Sequence, residues 1–406
     1  MRKKITIITF SIAIALASVT AARAQQIEAK FRPGNGLDIL LDNGDYSFNI
    51  GGLIQSNFLR DDPAAAKVEN KFGVKRGYLT LSGAARAERV HFLLRADLAA
   101  SSPLLDAWLA WQPWKTITIS AGQKQTFTNG REMTLPESGL STPDRSPLSL
   151  SFAGTGREFG LFIEGDFELG NIPLLPAIAI TSGDGQNAFG ATSIDVDLGG
   201  LKYGARVDVL PLGRFAPVND RAVADLAGER SPKLKIGLAA SYNQGASHPA
   251  GHGHGAFALY DETGAARYPD YRLLHADLLF KYRGLSLLGE YANASATSLH
   301  HLYTAAGGTA RLLPGQISHY LRLGDACNVQ AGYAAKCGWG IDIRYARVTP
   351  EFEKEVASLL RRVELAEACV TKYFNGGVKV QGSFARRETD KQDADTRVEV
   401  MLQIAF

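Results

Sequence analysis

The chain has 406 residues, 44 of them basic and 41 acidic, with a net charge of +3 and three cysteines. Charges this nearly balanced give no electrostatic case for nucleic acid or another polyanion as partner, and three cysteines exclude a disulfide-stapled scaffold. The small excess is local: residues 1–24 hold four bases (Arg2, Lys3, Lys4, Arg23) and no acid, leaving 40 against 41, a net charge of −1 for the remainder.

Residues 1–24 read as a secretory signal peptide. Positive charges come first, an apolar run covers 5–19, and Ala22-Arg23-Ala24 gives a small-x-small cleavage site. Residues 25–44 are expected to form an N-terminal periplasmic segment. From 45 to 406 the dominant signal is period-two alternation broken by Gly, Pro, Asn and Asp. In 46–58, Tyr46, Phe48, Ile50, Ile54 and Phe58 oppose Ser47, Asn49, Gln55 and Asn57. In 90–98, Val90, Phe92, Leu94 and Ala96 oppose His91, Leu93, Arg95 and Asp97. In 274–282, Leu274, Ala276, Leu278, Phe280 and Tyr282 oppose His275, Asp277 and Lys281.

The pattern predicts sixteen strands near 45–59, 72–83, 88–100, 105–112, 115–125, 157–167, 173–182, 199–210, 233–243, 271–282, 285–295, 317–334, 338–348, 362–374, 376–387 and 395–406. Gly324-Asp325 makes part of 317–334 loop-like. Thr349 as cap and Pro350 at a first helical position add a short helix near 351–360. Many of these strands run to about 9–12 residues, which suits a tilted strand crossing a bilayer.

Alternation alone is the same for a soluble sandwich and a membrane barrel. Three features favour the barrel. Short links near 84–87, 112–114, 283–284 and 375–377 alternate with long ones at 60–71, 126–157, 182–198, 244–271 and 295–316. Outer-membrane barrels have short periplasmic turns and long outer loops; the link 211–232 is long where a short turn is due. Aromatic residues at strand ends (Trp108, Trp111, Trp114, Tyr282, Tyr291, Tyr373) suit a membrane interface. The last residues, VEVMLQIAF, alternate to a final Phe406. A barrel pairs its last strand with its first, whereas a soluble sheet would leave a long apolar edge. The fold class is therefore all-β: a transmembrane antiparallel β-barrel of about sixteen strands over 45–406, in the bacterial outer membrane. Such a barrel is wide enough for an aqueous channel.

Little else in the sequence points to chemistry. His252-Gly253-His254 with nearby His248 resembles a small metal tract, but no Cys or carboxylate stands at ligand spacing, and no metal or other cofactor is expected. Gly154-Thr155-Gly156 and Gly183-Asp184-Gly185 lack the strand, helix and Lys-Ser/Thr of a phosphate loop. No G-x-S-x-G elbow occurs, and the chain is not expected to be an enzyme. Cys327 and Cys337 are near enough in sequence to pair, and spacing alone leaves that open.

Several segments, in order, carry a resemblance. FNIGGLIQSNFLRDD (48–62) and VKRGYLTLSG (74–83) resemble the first hairpin of the phosphate-selective porin O and P family. LLDAWLAWQPWKTITISAGQKQTFT (104–128) is similar to that family's third hairpin, and RSPKLKIGLAASYN (230–243) and TKYFNGGVKVQGSFAR (371–386) also match in style. The family has a long charged link before its Pro-Lys-Leu strand, as at 211–232 here. The resemblance implies a homotrimeric, water-filled channel in outer-membrane lipid for small anions such as phosphate. It implies a constriction loop at about 126–157, with Arg131, Arg145 and Arg157 as anion-binding candidates. Strand parity adds Arg76, Arg95 and Lys124 on the lumen side, together with the acids Asp97, Glu158, Glu164 and Asp166. A non-conducting adhesion or docking barrel acting through its outer loops is the alternative, and a barrel enzyme with a convergent site is a third reading.

Overall fold

The computed structural model describes residues 27–406 apart from 65, 88, 155, 189–199, 375–376 and 391–393. The expected signal peptide, most of the link 182–198 and the turn at 375–376 lie outside the described residues. Nineteen strands occur among those described: β1 (Glu28–Arg32), β2 (Gly36–Leu41), β3 (Tyr46–Asp62), β4 (Glu69–Ala85), β5 (Val90–Asp97), β6 (Leu104–Trp114), β7 (Ile117–Gln125), β8 (Arg157–Gly165), β9 (Phe167–Leu169), β10 (Ile172–Thr181), β11 (Lys202–Val209), β12 (Lys233–Asn243), β13 (Asp270–Tyr282), β14 (Leu285–Thr297), β15 (Gly324–Ala334), β16 (Trp339–Pro350), β17 (Val363–Tyr373), β18 (Val378–Thr389) and β19 (Asp395–Ala405).

From β3 onward each strand pairs antiparallel with the next, and β9 continues β8 alongside β10. The ladder closes where β19 pairs with β3 over Thr396↔Asp62 to Ala405↔Leu53. Counting β8 and β9 as one stave gives a closed barrel of sixteen.

The two faces of the wall settle what alternation left open. Outward positions hold large apolar side chains that are exposed, among them Ile54, Leu94, Leu109, Leu238, Ile343, Val370 and Phe384. Inward positions hold buried polar ones, among them Gln55, Arg206, Asp277, Lys281, Glu290, Gln381 and Glu399. Burial is thus the reverse of a soluble protein, as expected where hydrocarbon touches the outer face and a polar interior lies behind it.

Local differences from the sequence reading have physical causes. The segment 25–44 is more than a periplasmic tail: β1 and β2 form a hairpin, and β2 pairs with the first residues of β3, from Leu37↔Ile50 to Leu41↔Tyr46. It fills the seam below the end of β19. The helix expected near 351–360 is a run of turns. There Leu359 donates its backbone N–H to Ser318 O at 2.8 Å, and Leu360 joins a buried cluster with Ile317, Leu321 and Val363, so loop packing overrides helical propensity. The strand expected from 317 begins at Gly324, after a 3-10 turn at Pro314–His319. Trp108 is not an interfacial residue; it shares the inward face with Arg95 and Asp106, and Lys124 Nζ lies 5.5 Å from its ring centroid. Cys327, Cys337 and Cys369 are all free thiols.

The seam carries one expected result. Phe406 donates its N–H to Gly52 O at 3.0 Å and accepts from Gly52 N–H at 2.5 Å. Its ring covers Gly52 so closely that a Cβ there would stand 2.5 Å from the ring and 2.9 Å from Tyr78 O. Gly52→Val must displace the ring, an overpacking cost of about 1–3 kcal/mol. It should increase the fraction of barrel that runs unfolded on an unheated gel. Gly382→Ala, where a Cβ meets nothing within 4 Å, should not. Equal folded fractions for the two variants would reject this account of the seam.

Candidate functional site: two segments inside the barrel

The loop 126–157 is buried along most of its length and is tied to the wall at successive points. Near its start is the short helix Arg131–Thr134. Arg131 donates to Asp208 on β11 at 2.6 and 2.8 Å and to Asp277 on β13 at 2.9 Å. Arg206 donates to the same two carboxylates, at 2.8 and 2.5 Å, so two guanidinium groups meet two carboxylates in a closed charge-assisted set. Glu132 is the next tie. Its carboxylate accepts from Ser146 N and Oγ at 2.7 and 2.8 Å, Ser149 Oγ at 2.7 Å and Arg344 of β16 at 3.1 Å. The second short helix, Pro147–Phe152, starts where its sequence dictates: Pro147 occupies the first position and Ser146 Oγ caps Ser149 N. Leu148 and Phe152 anchor it to Ala292, Ala294 and Val348.

The far end of the loop reaches the opposite strands. Lys379 on β18 donates to Leu140 O at 2.6 Å, and Gln381 donates to Ser141 O at 2.8 Å. Asp144 pairs with Arg397 on β19 at 3.0 Å and with Lys75 on β4 at 2.8 Å. The loop therefore crosses the lumen, from β7 past β11–β16 to β18, β19 and β4.

A second segment enters from the other end. The long link 210–232 is no ordinary turn. It folds inward around the short helix Pro217–Asp220, and Lys281 on β13 donates to Asn219 O, Ala222 O and Ala224 O at 2.6, 2.7 and 3.0 Å. The two segments touch: Val223 donates its N–H to Gly139 O at 2.9 Å, and a Cβ on Gly139 would lie 1.9 Å from Arg221 O. Leu135 and Leu140 of the loop pack with Phe215 and Val223 of the insert against Leu279 and Leu288.

These ties sort the six basic residues singled out from sequence. Arg131 is consumed by Asp208 and Asp277. Arg145 braces its own loop, donating to Leu135 O and Glu137 at 3.0 Å and to Glu132 O. Neither presents a free guanidinium. Arg95 and Arg157 do come together, sharing Asp106 at 3.4 and 3.2 Å. Arg76, on the same wall, donates to Gln55 at 2.7 Å and to Pro143 O of the loop at 3.4 Å. Lys124 faces inward beside Trp108 and Phe162 but is paired with Glu164 at 2.5 Å. Of the inward acids, Glu158 pairs with Lys202 at 2.5 Å. Asp97 caps the β5 end through Gly77 and Ala99 N–H groups. Asp166 is exposed and paired with Arg214.

Between the loop and the β3–β5 wall a space of about 280 Å³ remains, bounded by Tyr78, Thr80, Arg95, Glu137 and Arg221 among others. Burial alone would raise the Glu137 carboxyl, but Arg145, Arg157 and Arg76 outweigh it and hold it at about 2, so it stays ionised. Arg221 was not singled out from sequence, although the misplaced length of 211–232 was its signal.

The histidine tract does not converge. His248 and His252 stack at 5.4 Å, and burial lowers His252 to about 4, leaving it neutral. No group of three or more potential metal ligands occurs among the described residues.

No protein-family profile matches the chain, and no curated protein matches it in sequence. Solved structures do. The anion-selective porin from Comamonas acidovorans superposes with a TM-score of 0.53 at 10% identity, covering 89% of this chain and 100% of that one. The outer membrane channel DcaP of Acinetobacter baumannii gives 0.53 at 12% identity, covering 89% and 97%. OmpT of Vibrio cholerae in its trimer form gives 0.51 at 8% identity, covering 89% and 99%. At these identities the likeness is one of fold and is not specific to a phosphate-selective group. The chain has the closed sixteen-strand barrel of outer-membrane porins, and its place is the bacterial outer membrane.

Proposed function

We propose that the chain is a passive diffusion channel for small hydrophilic solutes that prefers anions such as phosphate, in keeping with its resemblance to the phosphate-selective O and P group. One observation carries the preference. The space left beside the loop 126–157 is bordered by two bases, Arg221 and Arg95, against one acidic side chain, Glu137; Arg95 shares Asp106 with Arg157, and Glu137 is met by Arg145, so the bases stay in excess at this border. Rings of basic side chains at a narrowing attract anions and repel cations. Arg76 and Arg157 stand on the same wall and add to that field, while Arg131 and Arg145 act through the loop's position. A homotrimer is part of the proposal, supported by the resemblance and by the trimer form of one similar barrel; cross-linking in detergent tests it.

The ion-selectivity test is a zero-current potential under a KCl gradient in a planar bilayer. The unaltered protein should favour chloride. Arg95→Ala and Arg221→Ala should each lower the chloride-to-potassium permeability ratio by roughly two- to fivefold, an electrostatic change of about 0.4–1 kcal/mol. Open channels with no anion preference would leave a general porin. A barrel that never conducts would favour the docking alternative.

A further inference from the structure

The extracellular side of the loop 126–157 borders a second space, of about 410 Å³, between β16–β19 and the outer loops. Its wall breaks the rule that the inward face of a porin is polar. Val363, Leu365 and Ala385 occupy inward positions on β17 and β18. Leu150 from the loop helix and Leu359 from the link before β17 border the same space and are 55% and 42% exposed. Leucines left uncovered in a wet mouth forgo the burial that apolar side chains normally gain. The cluster formed by Leu148, Leu321, Leu360 and Val363 is already packed, so neither leucine is needed to complete it.

The charged part of this space is just as uneven. Arg344 is matched by Glu132 and Glu367, Arg397 by Asp144 and Asp61, and Arg361 by Asp390. Glu399 is matched by Lys75. Among the described residues, the Arg322 side chain donates to Ser151 O at 3.4 Å and forms no ion pair. Arg387 faces Asp395 across the β18–β19 ladder without forming an ion pair, and Asp395 accepts from Ala64 N–H at 3.0 Å. Two guanidinium groups that form no ion pair among the described residues thus share a pocket with exposed leucines.

We infer that this vestibule is a binding site for a small organic carboxylate with a compact apolar body, the carboxylate going to Arg322 and Arg387 and the body to Leu150, Leu359 and Leu365. Inorganic phosphate would use the arginines and gain nothing from the leucines, so the aliphatic wall names a narrower solute class than the channel reading does. The inference rests on that reading for its purpose but not for its test.

The test is equilibrium binding to the detergent-solubilised full chain by calorimetry, with four probes: benzoate, acetate, inorganic phosphate and benzyl alcohol. Benzoate should bind at least tenfold more tightly than the other three. Leu150→Ser with Leu359→Ser should bring benzoate down to the acetate level. Arg322→Gln with Arg387→Gln should bring it down to the benzyl alcohol level. All four positions lie on the extracellular side of the loop and leave the barrel seam untouched, and an unheated gel verifies folding. Benzoate binding no better than acetate, or unmoved by either pair of substitutions, overturns the inference; phosphate binding more tightly than benzoate does so too and leaves an ordinary anion site. Binding without conductance would refute the channel proposal and spare this one. Conductance without benzoate preference would do the opposite.

Discussion

Arg131→Ala is expected to raise single-channel conductance and lower thermal stability together. The guanidinium is buried and makes three charge-assisted hydrogen bonds to Asp208 and Asp277. Removing it leaves two buried carboxylates facing Arg206 alone. Breaking one partner out of a buried ion set costs about 3–5 kcal/mol, because the remaining charge is left uncompensated. The loop 126–157 should then loosen at its first turn while Glu132 and Asp144 still hold its later part. The bore widens because the tie, not an anion ligand, has been lost. Alanine also unmasks negative charge, so anion preference falls in either case, and that single variant cannot separate a tie from a ligand. The charge-balanced pair Arg131→Met with Asp277→Asn can. It should keep the anion preference and still widen the channel. A pair that loses anion preference at unchanged conductance would return Arg131 to the role the sequence suggested.

Why parity was readable and pairing was not follows from the range of each interaction. Whether a side chain points in or out depends on the strand's own period of two, so Leu274, Ala276 and Leu278 against His275, Asp277 and Lys281 could be sorted from adjacent residues. The same local rule placed Arg76, Arg95 and Lys124 on the inner wall. What Arg131 does depends on Asp208 and Asp277, which lie 77 and 146 positions away and reach it only once β11–β13 are in register. No local pattern encodes that meeting. Trp108 was misread for a related reason: the sequence groups it with Trp111 and Trp114 as an interfacial aromatic, but it lies within β6 on the inward face of Arg95 and Asp106. The helix expected near 351–360 failed because propensity of a few tenths of a kcal/mol per residue yields to burial of Leu360, worth about 1.5–3 kcal/mol. The length of 211–232 did register as out of place. Its cause, a segment folded up into the barrel, needed Lys281 to be seen beneath it.

Lys281→Met tests whether that inward segment narrows the channel. The ammonium is fully buried, donates to three carbonyls of the segment and lies 5.3 Å from the Phe215 ring centroid. Methionine keeps the length and the apolar contact with Phe215 and Leu279, but donates to nothing. Three carbonyls would then have to be satisfied elsewhere, and a buried acceptor left alone costs about 1–3 kcal/mol. Water on the periplasmic side can satisfy them only if the segment leaves the lumen, so that is the expected response. Three readouts should agree. Conductance should rise. Trypsin added from the periplasmic side should cut after Arg221 and Arg230. Adding Arg221→Ala to Lys281→Met should not change the anion preference further, because a withdrawn segment has already removed Arg221 from the pore. The last readout separates loss of the segment from loss of the lysine's own charge, which would act in addition to Arg221→Ala. Unchanged conductance with full resistance to trypsin would show that the apolar contacts of Phe215 and Val223 with Leu135 and Leu140 hold the segment without Lys281.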